Sequence, residues 1–432
     1  MRFFRSLLPA LLSVGALALV GCGDDSGSSG PSADGIESCL GEFPSLPADF
    51  SAAGYAAANA DLAAYFCTDG ACDGKEECRA LAGHYVNNGA AEGRGYVPIA
   101  PSSSAAAPSS ASGQPSAKAN RIGFYPYYAT SYGASKIDFS RYTQINLFSI
   151  LLNADGTLDC SALDDNRMLD VASSARNAGL KVFVSIGGDS RSTNMNTVFA
   201  NEALRGTFVN AVKDYLVGNG YDGIDIDWEY PKSDAEAAGL SATLKALHGL
   251  LAPAGKLVSV DLPTHLHMND GSAVIHADFG ADVDQINVMT YDYVFTGYQP
   301  TDPLDKTIET MDYWRNAGLP ANKLNIGMPF YGRNCINGSN NCAAISWYQY
   351  YLDGINGKWT WPKMPYFLSE GDRLAKVDYL ASNGLAGVLY WAINQDVPLD
   401  ESGFPLGGLG GADSVKYRLA QWWDEQLAAK GR

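Results

Sequence analysis

Positive charge is scarce in this chain: 30 Lys and Arg face 47 Asp and Glu, a formal net charge of −17. That deficit excludes the basic face a nucleic-acid partner needs, while an uncharged polymer such as a polysaccharide stays compatible. Histidine is scarcer still, with 5 in 432 residues. His265 and His267 lie close enough to suggest a metal, but no third ligand stands out, so the pair reads as a loop and no metal or cofactor is expected. The NADGTL stretch from Asn153 to Leu158 has the start of a calcium loop without its later ligands, and reads as a turn. Long apolar runs are missing too. The Leu7 to Val20 run is too short for an ordinary membrane span.

What stands at the N-terminus instead is a series of short segments. Arg2 and Arg5 precede that apolar run, which ends Leu19-Val20-Gly21-Cys22, so residues 1–22 read as an export signal. The last four residues resemble a bacterial lipobox. The resemblance implies lipidation of Cys22 and a lipoprotein at the cell envelope, with the membrane met through the anchor alone; plain secretion is the alternative. Residues 23–35 have the composition of a flexible tether. Residues 36–97 carry Cys39, Cys67, Cys72 and Cys78, with helical patches expected at Ala52 to Phe66 and Glu76 to Asn87. So short a segment has little core, and an exported compartment permits disulfides to staple it, in any of three pairings. It also resembles, through ANADLAAYF and HYVNNGAAEGRGY, a small helical module of secreted bacterial proteins, which implies no function. Residues 98–120 are a Ser, Ala and Pro linker, and 121–432 read as one domain.

In that domain short apolar runs alternate with helical stretches, the pattern of a parallel α/β fold. The eight runs are Arg121–Tyr125, Gln144–Ile150, Lys181–Gly187, Gly223–Glu229, Leu257–Leu262, Gln285–Tyr291, Leu324–Tyr331 and Gly387–Ile393. Helices are expected at Asp164–Ala178, Glu202–Val217, Ala235–Leu251, Leu304–Ala317 and Leu374–Asn383. Eight such units make a (β/α)8 TIM barrel. A doubly wound sheet is disfavoured because no Gly-rich phosphate turn follows the first strand.

One stretch organises the rest: DGIDIDWEYP, from Asp222 to Pro231. Its period of two puts Ile224, Ile226 and Trp228 on one face and Asp225, Asp227 and Glu229 on the other, in a row roughly 13 Å long. Adjacent carboxylates repel, and burial raises their pKa values further, so stability alone does not explain the row. A solvated acidic face mixes signs and rarely ends Trp-Glu-Tyr-Pro. A catalytic acid tuned by neighbouring aspartates explains it.

Asp222, Asp225, Asp227 and Glu229 match the Asp-x-x-Asp-x-Asp-x-Glu motif, and the chain here resembles the family 18 glycoside hydrolases, the chitinases and their relatives. The strand-end segments Ser185-Ile186-Gly187-Gly188, Met289-Thr290-Tyr291-Asp292, Phe330-Tyr331-Gly332-Arg333 and Trp391 extend the resemblance over about residues 121–426. It implies substrate-assisted hydrolysis of an N-acetylglucosamine polymer or oligosaccharide, an exception to the usual two-carboxylate scheme. Glu229 is then the general acid, Asp227 orients the acetamido group, Asp225 shares a proton with Asp227, and Tyr291 aims the acetamido oxygen. Trp391, Met289, Asp292, Ser185, Arg333 and Tyr230 are the implied substrate-binding set, in a chain expected to act as a monomer. The motif does not separate chitin from the chitobiose core of N-glycans or from peptidoglycan, although Trp-Glu-Tyr-Pro leans towards chitin. A sugar-binding lectin on the same barrel typically lacks the acid or its aspartate, and both are here.

Two positions depart from the family pattern. Phe124 stands where a tyrosine commonly helps Ser185 hold the buried aspartate, and Asp189 stands where Gly-Gly-Trp supplies a stacking ring. Too few residues separate Arg333 from Gly387 for the α+β insertion of one branch, which implies a shallower cleft. Trp347, Trp359 and Trp361 in that interval are candidates for sugar stacking or for core packing. Cys335 and Cys342 bracket a short loop and are expected to pair, leaving Cys160 buried or free.

Overall fold

Each barrel strand is a run whose alternate residues face either the helices or the barrel axis, and this two-sidedness sets the architecture. The computed structural model describes residues 46, 50–59, 62–63, 67, 75–86, 118–293, 300–334, 343–355, 367–401 and 418–432. In barrel order the strands are β1 (Asn120–Pro126), β2 (Gln144–Leu152), β3 (Lys181–Gly187), β4 (Gly223–Asp227), β5 (Leu257–Leu262), β6 (Gln285–Val288), β7 (Leu324–Pro329) and β8 (Gly387–Trp391). Neighbours pair in parallel throughout, and β1 pairs with both β2 and β8, so the ring closes on itself as a (β/α)8 barrel.

All eight expected runs are strands, but four of them stop short. β4 ends at Asp227 rather than Glu229, β6 at Val288 rather than Tyr291, β7 at Pro329 rather than Tyr331, and β8 at Trp391 rather than Ile393. These ends lie at the C-terminal mouth, where the chain leaves the ladder to turn into loops. Glu229 therefore sits just past its strand, not on it.

The outward faces are aliphatic: Ile224, Ile226, Val258, Val260, Ile286 and Ile326 belong to one core with the helices. Full burial of each such side chain contributes about 1.5–3 kcal/mol. The helix Glu202–Asn219 shows how the partner elements form. Asn201 caps it by accepting from the N–H groups of Ala203 and Leu204, Phe208, Val209, Val212 and Leu216 face inward, and Gly220 ends it at φ 67°. The helix expected from Leu374 starts earlier, at Glu370, because the Ser369 side chain accepts from the Asp372 N–H.

The inward face is polar, which is unusual for a barrel core. Gln144 pairs with Gln285, and Asn120, Asn325 and Asn287 form a hydrogen-bonded chain at 3.0–3.1 Å that reaches Asp225. Buried polar groups persist only when partnered, so this network fixes the height and orientation of Asp225.

The chain divides into two compact units, residues 1–105 and 106–432. In the first, helices Ala52–Ala58 and Lys75–His84 share a small core of Phe50, Tyr55, Leu62 and Leu81, and Cys67 and Cys78 are each disulfide-bonded. Cys22, Cys39, Cys72, Cys335, Cys342, Trp359 and Trp361 lie outside the described residues. Cys160 is a free thiol beside Tyr215, pushed up to about 11 by burial. The NADGTL stretch is a tight turn, with Asn153 and Thr157 bonded across it and Asp155 accepting from the Thr157 N–H.

Candidate active site

The acids of the DGIDIDWE stretch lie at successive heights, from just before β4 to just past it, and meet different surroundings. Asp222, before the strand begins, accepts from the Val182 N–H at 2.8 Å and serves only to tie β4 to β3. Asp225, fully buried, accepts from Ser185 Oγ at 2.7 Å, from Asn287 Nδ2 at 3.1 Å and from Ser259 Oγ. Burial raises its pKa, and these donors pull it back. Asn146 lowers it as well, although its Nδ2 has no partner within hydrogen-bond distance among the described residues. Asp227, one pleat nearer the mouth, is 3% exposed, and its Oδ1 has no hydrogen-bond partner among the described residues. Burial first, then the charges of Glu229, Asp225 and Asp189, push it well above the ordinary carboxylate range.

Glu229 is raised to about 7, chiefly by burial and next by the charge of Asp189, while the Asp189 backbone and the Tyr230 hydroxyl act to lower it. A carboxyl at that value still holds a proton near neutrality, which suits a general acid. Its N–H donates to Ser192 Oγ at 3.3 Å, and the Glu229–Tyr230 peptide bond is cis. The turn after β3 shapes this corner. A Cβ on Gly187 (φ 101°) would lie 2.0 Å from the Asp227 carbonyl oxygen, and one on Gly188 (φ 103°) 2.3 Å from the Phe148 ring. Only glycine lets β3 approach so closely, and Gly188 N–H donates to that same carbonyl at 2.7 Å.

Asp227 and Glu229 border a cavity of about 350 Å³ whose other walls include Met289, Tyr291, Asp292, Tyr230 and Trp391. Trp391 rests edge-on against Phe148 at 4.7 Å and tilted against Phe124 at 5.6 Å, so it forms an apolar floor. Phe124, in place of tyrosine, thus supports the tryptophan, while Ser259 and Asn287 supply donors to Asp225 that the missing hydroxyl does not. Glu229 and Tyr230 also border a second, more open depression of about 270 Å³, with Trp228, Thr193 and Lys232.

Two residues of the expected binding set stand one step behind the cavity. Ser185 is fully buried beneath Asp225, and Arg333 holds Asp292, its Nη2 donating to Oδ1 at 2.7 Å. Trp347 is core: it is 3% exposed and packed on Tyr350 and Phe367. His267, read as a loop residue, lines the cavity on a short helix, His265–Asn269, with its ring 5.1 Å from Tyr230. No metal-binding cluster occurs among the described residues.

Sequence reasoning passed over Ser259, Asn287 and Asp261. Asp261 is 4% exposed on β5 and lines the cavity. Burial, followed by the charges of Asp225 and Asp227, pushes it well above the ordinary range. The signal was available: in Leu-Val-Ser-Val-Asp-Leu and Gln-Ile-Asn-Val the polar residues recur with period two on strands otherwise aliphatic, which marks an inward polar face.

A family model described as "Glycosyl hydrolases family 18" matches residues 121–396. "Chitinase 1" of Aphanocladium album is 28% identical over 300 residues, covering 56% of this chain and 69% of that protein. "Chitinase A1" of Niallia circulans is 26% identical, covering 51% and 41%. Among solved structures, a Group IV chitinase of Ostrinia furnacalis superposes with a TM-score of 0.60 at 22% identity, over 72% of this chain and 100% of that one. A class V chitinase mutant from Nicotiana tobaccum, in complex with NAG4, gives a TM-score of 0.59 at 18% identity, over 72% and 99%. At those identities the superpositions speak for the fold.

Proposed function

We propose, from the premise that this chain belongs to the family 18 glycosyl hydrolases, that it is a chitinase cleaving β-1,4 links between N-acetylglucosamine units inside the polymer. The observation that carries the reading is Glu229: a half-buried carboxyl raised to about 7, next to an aspartate with an unpartnered buried oxygen, at the edge of an aromatic-floored cavity. Glu229 protonates the leaving glycosidic oxygen. The nucleophile is the carbonyl oxygen of the sugar's own acetamido group, which closes an oxazolinium ring that water then opens with retention at C1. Asp227 Oδ1 accepts from the acetamido N–H and offsets the positive charge of the ring. The Tyr291 hydroxyl aims the acetamido oxygen, and Trp391 supports the pyranose. The second depression beyond Glu229 supports cleavage within a chain, because it leaves room for sugar on both sides of the acid.

Product analysis on chitin oligomers, N-glycoprotein and peptidoglycan tests the substrate. Internal cleavage of the oligomers is expected, and release from either other polymer in preference would move the assignment to it. A thiazoline analogue of the cyclic intermediate should inhibit, and a 2-fluoro glycoside should leave no sugar on Asp227 or Asp225. A covalent adduct on either would replace the acetamido group with an enzyme nucleophile.

The composition of residues 1–22 supports export as a lipoprotein acylated at Cys22. Mass spectrometry of the mature N-terminus tests this, and an unlipidated chain starting beyond Cys22 would refute it.

A further inference from the structure

The three innermost acids do not share one environment, and the difference concerns a proton. Asp225 accepts from Ser185, Ser259 and Asn287. Such a carboxylate is satisfied as an anion and offers little room for a proton. Asp227 and Asp261 are the opposite case. Each is buried, each lines the cavity, and Oδ1 of each has no hydrogen-bond partner among the described residues. The β4–β5 register pairs Asp225 with Ser259 and Ile226 with Val260. Its next step sets Asp227 beside Asp261, on strands about 4.8 Å apart. Asn287, opposite Asp261 on β6, acts to lower the pKa of Asp261, but its Nδ2 donates to Asp225 at 3.1 Å and neither Oδ1 of the pair gains a partner. Two buried acceptors at that spacing do not both ionise; one proton between them satisfies both.

We propose that Asp227 and Asp261, not Asp227 and Asp225, share one proton in the free protein, and that Asp261 keeps it when a sugar's acetamido N–H reaches Asp227. The O–H bond on Asp227 Oδ1 breaks and one forms on Asp261 Oδ1. The net charge of the pair is unchanged, and Asp227 is left ionised beside the developing oxazolinium. The second clause rests on the substrate-assisted reading above; the first does not.

The charged neighbours are compatible with this. Asp225 lies below the pair, with Glu229, Asp189 and Asp292 towards the mouth, and all four are acids that favour keeping the proton. The hydroxyls of Tyr230, Tyr291 and Tyr331 and the ring of His267 also face the cavity. Of the guanidiniums, Arg191 is bonded to Ser149, and Arg333 to Asp292.

Infrared spectroscopy of the carboxyl stretch tests the proposal on the full chain. The background is Glu229→Gln, at a pH above about 6, to which burial raises the carboxyl of Asp396 outside the cavity lining, so neither group contributes. Without substrate, adding Asp261→Asn or Asp227→Asn should abolish one protonated-carboxyl band, and Asp225→Asn should leave it. Loss of the band in Asp225→Asn, or its survival in Asp261→Asn, overturns the shared pair. Asp261→Ser repeats the decisive arm with a smaller side chain, and each arm decides by itself if another variant fails to fold. Adding a chitin oligomer to the Glu229→Gln protein should then shift the band without removing it, and a band that disappears overturns the transfer. An oligomer that does not bind counts against the substrate reading, and the ligand-free spectra still decide the pair.

Discussion

Two places in this barrel treat buried carboxyls in opposite ways. Beneath the outer helices, Asp302 accepts from Lys376 Nζ at 2.8 Å, and the lysine, itself fully buried, also bonds the Asp302 carbonyl at 2.7 Å. Around the cavity, Asp227 and Asp261 are buried and Glu229 half-buried beside them, with no cation among the causes that shift them. The first arrangement answers the desolvation cost of charge with charge; the second leaves it unanswered. A fold that compensates its acids where nothing binds, and not where a cavity opens, stores the difference for a ligand or a proton.

The largest effect that tests this contrast is at Glu229. Glu229→Gln keeps the shape and removes the proton, so turnover should fall by about 10²–10⁴-fold while oligomer binding persists. Near-normal turnover would remove Glu229 as the acid. Stability should move the other way. The folded pKa, about 7, lies above the ordinary 4.5. The stability tied to the protonated form is therefore full below about 4.5 and lost as pH rises through about 7. The glutamine variant lacks that loss, so above neutrality it should unfold at a higher temperature than the parent.

At the compensated site the outcome reverses. Lys376→Met leaves Asp302 buried and alone, which should cost about 3–5 kcal/mol of stability in denaturant unfolding. The protein that remains folded should keep its turnover. Lost turnover with unchanged stability would mean the two sites are not distinct in kind.

Ser259→Ala probes the middle case, an acid satisfied by neutral donors. Removing one donor should cost about 1–3 kcal/mol at neutral pH. Burial already raises Asp225 and the lost bond raises it further, so the cost should shrink in acid, where the carboxyl is protonated. A cost independent of pH would mean that Ser259 acts by packing alone.

These contrasts were unequally legible in the sequence. The period-two row Asp225, Asp227 and Glu229, and the aliphatic face of Ile224 and Ile226, followed from strand geometry. So did the barrel, because eight apolar runs alternate with helical stretches. The strand ends at the mouth did not follow. A ladder stops where the chain turns to aim side chains across a cavity, and periodicity does not register that. Asp261 was passed over for another reason: Ser259 and Asp261 recur with period two on β5, but period alone does not say which face looks into the barrel until the neighbours across it are known. Ser185 and Arg333 entered the implied binding set through the family resemblance, which also had Ser185 hold the buried aspartate. Their positions behind Asp225 and Asp292 depend on the direction each side chain takes from the backbone.

The smallest effect concerns Asp189, where the chain departs from the family's tryptophan. Its charge is the second cause of the raised Glu229 pKa, after burial, while its backbone acts in the opposite sense. Asp189→Asn removes the charge and keeps the backbone and nearly the same volume. The Glu229 pKa should then fall, but not to its ordinary value, because burial and the charge of Asp292 remain. A general acid works only while protonated, so the alkaline limb of the kcat/KM profile should move to lower pH, with the plateau below it little changed. The shift should shrink as salt is added, because Asp189 is exposed at the mouth and its field is screened there. An alkaline limb that stays in place would mean burial alone sets the acid. A limb that moves to higher pH would mean that some other group loses the proton in that range, since removing a negative neighbour cannot raise the pKa of Glu229.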